Sequence, residues 1–374
     1  MAREFAALEP ERAQQWFAGC DPVGQNLGSG GGTMHLLMEA CGRQSFHDWL
    51  RQSKKLIVHA GGESRRLPAY AATGKALIPM PVLRWSHGQR LDQTLLDLQQ
   101  ASYERIFASA PASARVMVTS GDVLLRFAPT LPKLPEVDVL AMGLWVKPEL
   151  ASHHGVFFCP RRDPNRLAFF LQKPTPAHIR ELGQDYLFLV DVGVWMLSER
   201  AVEVLRRKCV HKYELYAEFG LGLGAKPARE DAEINALTSA VVPLPAGEFY
   251  HFGTSRALIE SVAALHNVVV DQTQWGTATA SLHPDMHLLN STYRAARGAT
   301  IWVENSHIPA TWQISREHVL TGVPPNDWSL KLAPGDCLDF VPLDGDRLCV
   351  RNYRMDDSRS EEHTSELQSP YVIS

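Results

Sequence analysis

A pair of adjacent glycines, placed directly after a short apolar segment, constrains this chain more than any other feature. The run from Val58 to Pro68 reads Val-His-Ala-Gly-Gly-Glu-Ser-Arg-Arg-Leu-Pro, and Gly74-Lys75 follows after a loop. Glycines let backbone N–H groups approach phosphate oxygens closely, and cationic side chains neutralise the charge that the amides leave. The run therefore predicts a phosphate-binding turn after the strand 56–58. Two glycines alone would favour an ordinary strand-to-helix turn, but Arg66 and Lys75 make that interpretation the weaker one.

Two other phosphate-binding motifs fit the sequence less well. A P-loop has Ser or Thr directly after Gly-Lys, because that hydroxyl binds magnesium, but Ala76 follows Lys75 here. A dinucleotide-binding fingerprint needs a third glycine, and the glycine-rich segment 28–33 has Thr33 at that position. Neither motif is therefore expected in this chain.

The run Val58–Pro68 resembles the signature loop of the sugar nucleotidyltransferases, which join a nucleoside triphosphate to a sugar 1-phosphate. The family pattern is Ala-Gly-Gly-x-Gly-Thr-Arg-Leu, with a lysine further along the chain. Ser64 stands near the family's Gly-Thr pair, Arg66-Leu67 matches its Arg-Leu, and Lys75 matches its lysine. The resemblance implies that Gly61, Gly62 and Ser64 contact the nucleotide. It also implies that Arg66 and Lys75 are catalytic cations on the triphosphate.

Composition argues against several other classes of protein. The formal net charge is −4, whereas a nucleic-acid-binding protein normally carries a basic excess. The six cysteines form no Cys-x-x-Cys pair, which indicates neither a disulfide framework nor a zinc site and suits a reducing cytoplasm. No apolar run is long enough to span a bilayer, and no signal peptide is recognisable. We therefore expect a cytoplasmic protein without nucleic-acid or membrane partners.

Strand and helix patterns predict an α/β protein followed by an all-β region. Residues 1–53 form a helical preamble that carries the glycine-rich segment and belongs to the catalytic domain. Residues 54–275 alternate strands with helices, as in a doubly wound mixed sheet. Residues 281–353 contain short strands at spacings of roughly six to twelve residues, which is typical of a parallel β-helix or another all-β stack. Predicted elements include strands at 116–119, 137–144, 168–171 and 192–197, and helices at 91–109 and 199–208, the latter capped by Ser198.

The last segment, residues 358–374, resembles translated sequencing adapter and continues no pattern from the preceding strands. It is therefore treated as non-native and excluded from the fold prediction, although its polarity would also suit a natural disordered tail. A foreign tail predicts that the gene was cut short and that the β-helix is truncated.

Two polar residues follow predicted strands in the α/β region. Asp122 comes directly after a strand, at the type of edge where open α/β sheets bind ligands, and Lys173 follows the strand 168–171. In the resembled superfamily the equivalent Asp coordinates magnesium, which prefers oxygen ligands, and the equivalent Lys is a catalytic residue that holds the sugar 1-phosphate. A lone Asp or Lys at such a position is more often a turn cap or a solvated side chain. The order of Asp122 and Lys173 along the chain favours the functional interpretation.

The segment Asp191-Val192-Gly193-Val194-Trp195 resembles a family segment that lines the sugar pocket. It implies that Asp191 and Gly193 bind the sugar, while a strand with a β-bulge at Gly193 explains the same pattern equally well. His251 stands where bacterial relatives carry an Asp that is the second magnesium ligand. Imidazole is a poor partner for magnesium. Either His251 contacts the sugar phosphate or another acid serves as the metal ligand, with Glu248 as a candidate.

Several segments in order resemble the fucose-1-phosphate guanylyltransferases (GDP-fucose pyrophosphorylases), above all the N-terminal half of bifunctional fucokinase/GDP-fucose pyrophosphorylases. They are residues 28–33, 59–62, 74–75, 249–254, 304–308 and 321–324. The resemblance implies Mg²⁺-dependent joining of GTP to β-L-fucose 1-phosphate, with release of pyrophosphate. It also implies a sugar kinase domain after the β-helix, which the predicted truncation would leave out of this chain. The glycine-rich segment would face the nucleotide through backbone amides at a helix that Thr33 begins, which adds four nucleotide-binding candidates: Gly30, Gly31, Gly32 and Thr33.

Two other functions are compatible with these patterns. A different sugar phosphate, or UTP in place of GTP, would leave the same motifs, because no pattern in the chain specifies the base. His251 also suggests a non-catalytic binding subunit that has lost a metal ligand. The presence of Lys75, Asp122 and Lys173 argues against that second alternative.

Overall fold

The computed structural model of this chain describes residues 15–60, 66–71, 73–82, 93–269, 285–343, 347–357 and 371–373. The described residues divide into two compact units, each built from two stretches of chain. The first unit contains the residues up to Ala60 together with Leu98–Phe249, and the second contains those between 61 and 97 together with those from Tyr250 onward. The predicted boundaries instead treated 54–275 as one continuous domain. In the observed division, the described residues between 61 and 97 belong instead with those from Tyr250 onward.

The elements of the first unit follow the chain from α1 to β9. Its described helices are α1 (Gly28–Cys41), α2 (Phe46–Gln52), α3 (Leu95–Ala108), α4 (Pro148–Ala151), α5 (Pro176–Leu182), α6 (Glu199–Lys208) and α7 (Ala232–Asn235). Its described strands are β1 (Lys55–His59), β2 (Ala114–Ser120), β3 (Val123–Arg126), β4 (Val139–Leu144), β5 (Gly155–Pro160), β6 (Phe169–Gln172), β7 (Tyr186–Ser198), β8 (Ser239–Pro243) and β9 (Glu248–His251). The boundary between the units falls inside α3 and inside β9.

A mixed sheet lies at the centre of the first unit. Its strand order is β1-β2-β7-β4-β8, and β5 pairs with both β7 and β6. β1 is parallel to β2, and β7 is antiparallel to β2, β4 and β5. Because side chains alternate along a strand, Val116 and Val118 enter a core with α1, α2 and α6, while Met117 enters a second core with α3 and α5. Helices therefore cover both faces, and the predicted α/β class with a mixed sheet is confirmed.

The local predictions that depend on helix capping and periodicity are also confirmed. The helix predicted at 199–208 is α6, and the Ser198 side chain accepts a hydrogen bond from the Ala201 amide as an N-cap does. The helix predicted at 91–109 is α3, and the strand predicted at 192–197 lies within the longer β7. The sequence patterns do not predict β5, because its terminal Gly155 and Pro160 are typical of loops.

The second unit is mostly β structure in its described part. It contains 3₁₀ turns at Pro68–Tyr70 and Lys75–Leu77, the helix α8 (Ser255–Val269), and the strands β10 (Met286–Leu289), β11 (Thr292–Tyr293), β12 (Ala299–Glu304), β13 (His307–Ile308), β14 (Arg316–Thr321), β15 (Asp336–Pro342), β16 (Leu348–Arg354) and β17 (Tyr371–Ile373). One sheet has the order β10-β12-β14-β15-β16-β17, and β11 pairs with β13.

The direction of pairing changes along the larger sheet of the second unit. The pairings from β10 to β15 are parallel and join segments that follow one another along the chain, whereas β15–β16 and β16–β17 are antiparallel. Ile301, Val303, Leu320 and Leu338 form part of its core. The successive parallel pairings are those expected of an all-β stack, while the antiparallel end was not predicted. In the described ranges, no helix of either unit has the length and apolarity needed to cross a membrane.

Candidate active site

A tight turn between β2 and β3 places Asp122 directly after the C-terminal end of β2. The Ser120 hydroxyl donates to Asp122 Oδ1 at 2.7 Å, and the Gly121 amide donates to the carbonyl oxygen of His59 at 3.0 Å. A Cβ atom on Gly121 would lie 2.7 Å from that oxygen, so only glycine permits this approach. The buried Tyr103 hydroxyl donates to the Ser120 carbonyl oxygen at 2.7 Å. These contacts fix Asp122 where a ligand at the end of the strand would meet it.

The neighbouring strand β7 carries a β-bulge at the predicted sugar-binding segment. Its pairing with β4 shifts register between the Ala141 and Gly143 positions, opposite this segment. Gly193 has a φ of 70°, and a Cβ atom there would lie 2.8 Å from Ser120 Cβ. Its amide donates to Asp191 Oδ1 at 2.8 Å. The bulge that the sequence suggested is therefore present, and it brings Gly193 against the residue that holds Asp122.

Asp191 is buried within this bulge, with 7% of its surface exposed. The indole N–H of Trp195 donates to both carboxylate oxygens at 3.1 Å, in addition to the bond from the Gly193 amide. Burial raises the pKa of Asp191 to about 7, although these hydrogen bonds act in the opposite direction. The Trp195 ring meets the Tyr216 ring edge-on at 5.4 Å. Asp191 therefore fixes the bulge and its aromatic neighbours, and direct contact with a sugar hydroxyl stays a prediction.

Lys173 lies one residue beyond the end of β6, at the level of Asp191 on the sheet. Gly155 of β5 is in register with Gln172 of β6, and a Cβ atom on Gly155 would lie 3.3 Å from Asp191 Cβ. Lys173 has a φ of 49°, and its amide donates to the His154 carbonyl oxygen at 3.0 Å. Its side chain is exposed. The structure thus brings Asp122, Asp191, Gly193 and Lys173 to the part of the sheet beside the middle of β7, where β2 ends and β5 begins.

The prediction for the glycine-rich segment is wrong about where its helix begins. The helix α1 begins at Gly28 rather than at Thr33. The amides of Gly30 and Gly31 donate to the Tyr213 carbonyl oxygen at 2.9 and 3.1 Å. The Ser29 amide and hydroxyl both donate to Glu214 Oε2, at 3.0 and 2.8 Å. A carboxylate of the chain itself therefore occupies the helix N-terminus, where an anion would otherwise bind.

Thr33 and His59 form a second contact that the sequence analysis did not predict. Thr33 is 1% exposed, and its hydroxyl donates to the Ser29 carbonyl oxygen at 2.7 Å while lying 2.7 Å from His59 Nε2. Because the single hydroxyl proton is used, Nε2 of His59 carries the proton in this pair. Burial lowers the pKa of His59 to about 4. Thr33 is thus part of the packing between α1 and β1, and within the described residues Gly30, Gly31 and Thr33 do not form the expected amide cradle.

In the second unit, the predicted residues Lys75 and His251 both lie close to Gly253. Lys75 Nζ donates to the Gly253 carbonyl oxygen at 3.3 Å. A Cβ atom on Gly253 would lie 2.2 Å from His251 Cε1, so the imidazole covers that glycine. The Ser261 hydroxyl donates to the His251 carbonyl oxygen at 2.8 Å. The chain therefore places a cation and an imidazole together at the start of α8.

Arg66 is attached to the same helix through its backbone. Its carbonyl oxygen accepts a hydrogen bond from the Ser255 amide at 3.1 Å, and its side chain is exposed. The remaining predicted nucleotide-binding residues of the signature loop, Gly61, Gly62 and Ser64, lie outside the described residues.

A magnesium ion requires oxygen ligands, which Asp122 and Glu248 could supply in this region. Among the described residues, no group of three or more His, Cys, Asp or Glu side chains lies close enough together to hold a metal ion. Magnesium at a nucleotide site is often held by one or two carboxylates together with substrate phosphates, so Asp122 suits the role of a protein ligand. Glu248, the suggested second ligand, accepts a hydrogen bond from Arg126 Nη1 at 2.6 Å at the surface. The donor set therefore fits one carboxylate at Asp122.

Much of this chain is similar in sequence to known proteins. Residues 47–223 match the model of the fucose pyrophosphorylase domain. The chain is 45% identical over 372 residues to a protein of Bacteroides fragilis named L-fucokinase/L-fucose-1-P guanylyltransferase, covering 96% of this chain and 39% of that protein. It is 24% identical over 209 residues to the bifunctional fucokinase/GDP-fucose pyrophosphorylase of Arabidopsis thaliana, covering 48% of this chain and 20% of that protein. The chain thus spans less than half the length of these relatives.

Among solved structures, a protein described as mannose-1-phosphate geranyltransferase from Thermus thermophilus is 15% identical and has a TM-score of 0.37. The alignment covers 80% of this chain and 94% of that one. A TM-score this low does not establish a shared fold. The resemblance predicted from the sequence motifs is nevertheless confirmed: residues 47–223, which contain Asp122, Lys173, Asp191 and Gly193, match the fucose pyrophosphorylase domain family.

Proposed function

We propose that this chain joins GTP to β-L-fucose 1-phosphate, giving GDP-fucose and pyrophosphate. One observation carries the proposal: the match to the fucose pyrophosphorylase domain spans four predicted site residues that lie beside the middle of β7 in the first unit. The names of the two relatives support guanylyl transfer to a fucose phosphate.

The reaction is a single in-line displacement. A phosphate oxygen of fucose 1-phosphate forms a bond to the α-phosphorus of GTP, and the bond from that phosphorus to the β-phosphate bridging oxygen breaks. The protein contributes positioning and charge neutralisation rather than proton transfer. Lys173 holds the sugar phosphate, the Asp191–Gly193 bulge shapes the sugar site, and His251 contacts the sugar phosphate.

The triphosphate is assigned to the cations of the signature region. Arg66 and Lys75 neutralise its charge, and Gly61, Gly62 and Ser64 contact the nucleotide. Asp122 is the proposed magnesium ligand. When bound, Mg²⁺ neutralises charge that develops on the phosphate oxygens. The C-terminal region, residues 281–353, is proposed to be a β-helix, which the successive parallel pairings in the second unit support.

The test is pyrophosphate release by the full chain with Mg²⁺, supplying GTP or UTP together with a panel of sugar 1-phosphates. Release with GTP and fucose 1-phosphate alone is the expected result. Release with UTP or another sugar phosphate would retain nucleotidyl transfer and overturn the substrate assignment. A folded sample that binds GTP and releases pyrophosphate with no pair would overturn catalysis and support a binding subunit.

A further inference from the structure

The second unit contains an unexpected set of polar contacts to the last residues of the signature loop and the residues directly after it. This segment, Arg66–Ala71, has a single 3₁₀ turn at Pro68–Tyr70. The Tyr70 hydroxyl donates to the Glu304 carboxylate, and the Trp302 indole N–H donates to the Tyr70 oxygen at 3.0 Å. Such a turn has few backbone hydrogen bonds of its own. Its position therefore depends on contacts made from other elements.

Two further contacts reach the backbone of the same segment. Arg351 Nη2 donates to the Pro68 carbonyl oxygen at 3.0 Å, while its guanidinium is held by Asp339, with Nε 2.7 Å from Oδ2. The Ser255 amide donates to the Arg66 carbonyl oxygen at 3.1 Å. Contacts from β12, β16 and α8 thus converge on six residues. We refer to Tyr70, Glu304, Trp302, Arg351 and Asp339 as the clamp.

Most side chains of the clamp are buried, so their polar groups depend on the hydrogen bonds they make with one another. Tyr70 is 4% exposed, Trp302 is fully buried and Asp339 is 5% exposed. Burial raises the pKa of Glu304, and burial together with the adjacent Glu304 charge raises the pKa of Tyr70. Buried charges contribute little net stability compared with apolar residues of the same size, whereas the hydrogen bonds they make are directional. Directional bonds at three points therefore specify where the segment lies.

We propose that Tyr70 and Arg351 are positioning residues for nucleotide binding, because they hold the segment Arg66–Ala71 against the C-terminal sheet and so set the backbone position from which the exposed Arg66 side chain extends. This inference rests on the proposed function, and it gives that sheet a role in the reaction. Glu304 and Asp339 act through Tyr70 and Arg351 and touch no substrate themselves.

The first test compares Tyr70→Phe with Tyr293→Phe. Tyr293 belongs to the same unit, and its hydroxyl donates only to the Ala296 carbonyl oxygen in the described structure, at 2.7 Å. Loss of a hydrogen bond to a charged group predicts that the KM for GTP rises about tenfold in Tyr70→Phe. The KM for fucose 1-phosphate is expected to stay within about twofold in both variants. A merely structural role would lower the active fraction and leave both KM values unchanged.

The second test uses a matched pair on β16. Arg354 resembles Arg351, since it pairs with the Asp336 carboxylate and donates to the Pro334 carbonyl oxygen at 2.9 Å. Lysine keeps the charge but lacks the forked donors needed to hold a carboxylate and a carbonyl together. Arg351→Lys is therefore expected to raise the KM for GTP about fivefold, and Arg354→Lys to leave it unchanged.

The outcomes separate this inference from the proposed function. Unchanged GTP KM in both Tyr70→Phe and Arg351→Lys, with an active wild type, would overturn the clamp alone. Wild-type turnover of GTP with another sugar phosphate would overturn the fucose assignment, and the clamp would still be measured by the KM for GTP. A wild type that neither binds GTP in calorimetry nor turns it over would overturn both. A raised KM for GTP in both Tyr70→Phe and Arg351→Lys, with an unchanged KM for fucose 1-phosphate, would establish the clamp as positioning the nucleotide site.

Discussion

Asp122 follows β2 and Asp191 lies on the neighbouring strand β7, yet their surroundings differ. Asp122 is half-buried in a turn, with Ser120 as a hydrogen-bond donor. Asp191 is almost fully buried, and its oxygens accept bonds from the Gly193 amide and the Trp195 indole. A half-buried carboxylate at a strand end is suited to a ligand, whereas a buried one that is bonded to the chain is suited to holding the backbone. The sequence motifs alone assigned Asp122 to magnesium and Asp191 to the sugar.

The largest expected effect is on Asp122. Asp122→Asn keeps an oxygen that accepts from Ser120 but removes the charge, so kcat/KM for pyrophosphate release should fall about 10³-fold with the melting temperature nearly unchanged. Asp163→Asn, at an exposed turn, is the matched control and should retain wild-type activity. A loss smaller than about tenfold would show that Asp122 only caps its turn.

A smaller effect is expected on the stability of the bulge. Gly193→Ala meets both a positive φ and the close approach to Ser120, and it should lower the free energy of unfolding by about 3 kcal/mol. Gly24 has a similar φ of 77° but nothing within 4 Å of a Cβ atom. Gly24→Ala should therefore lower the free energy of unfolding by only about 1 kcal/mol when both variants are measured by urea titration. Equal losses in the two variants would show that the contact with Ser120 is unimportant.

Per unit of change, the smallest effect is the loss of stability with each pH unit that Asp191 causes. Its pKa is raised to about 7 in the folded chain, so the folded state keeps a proton that the unfolded chain releases above its ordinary pKa of about 4. The stability contribution is present in full at low pH and is lost as pH rises between these values, by up to about 1.4 kcal/mol per pH unit. Above the folded pKa the dependence ends.

Asp191→Asn removes this titration. The difference between the unfolding free energies of wild type and variant should therefore vary with pH from 4 to 7, as followed by urea titrations at several pH values. A difference that is constant over this window would contradict the buried, protonated carboxyl group.

The periodic and capping signals predicted much of the local structure, because they depend on residues close together in the chain. Ser198 caps α6 as predicted, since its oxygen meets an amide three residues away. The same reasoning failed at Gly28–Thr33, where the decisive partners are the distant Tyr213 and Glu214. A glycine-rich helix start has the same sequence pattern whether it meets a phosphate or a carboxylate of its own chain.

The sequence by itself determined the α/β class, the likeness to fucose pyrophosphorylases and the identity of the candidate charges, because these depend on residue type and order. Tertiary structure decided which charges lie together and which are bonded within the chain. It gathered Asp122, Asp191 and Lys173 through the register of β2, β7, β5 and β6. It also brought the Tyr70 hydroxyl into a hydrogen bond with Glu304, although more than half of the chain separates these two residues. Burial and hydrogen-bond partners come from such distant contacts, and they distinguish a substrate ligand from a structural carboxylate.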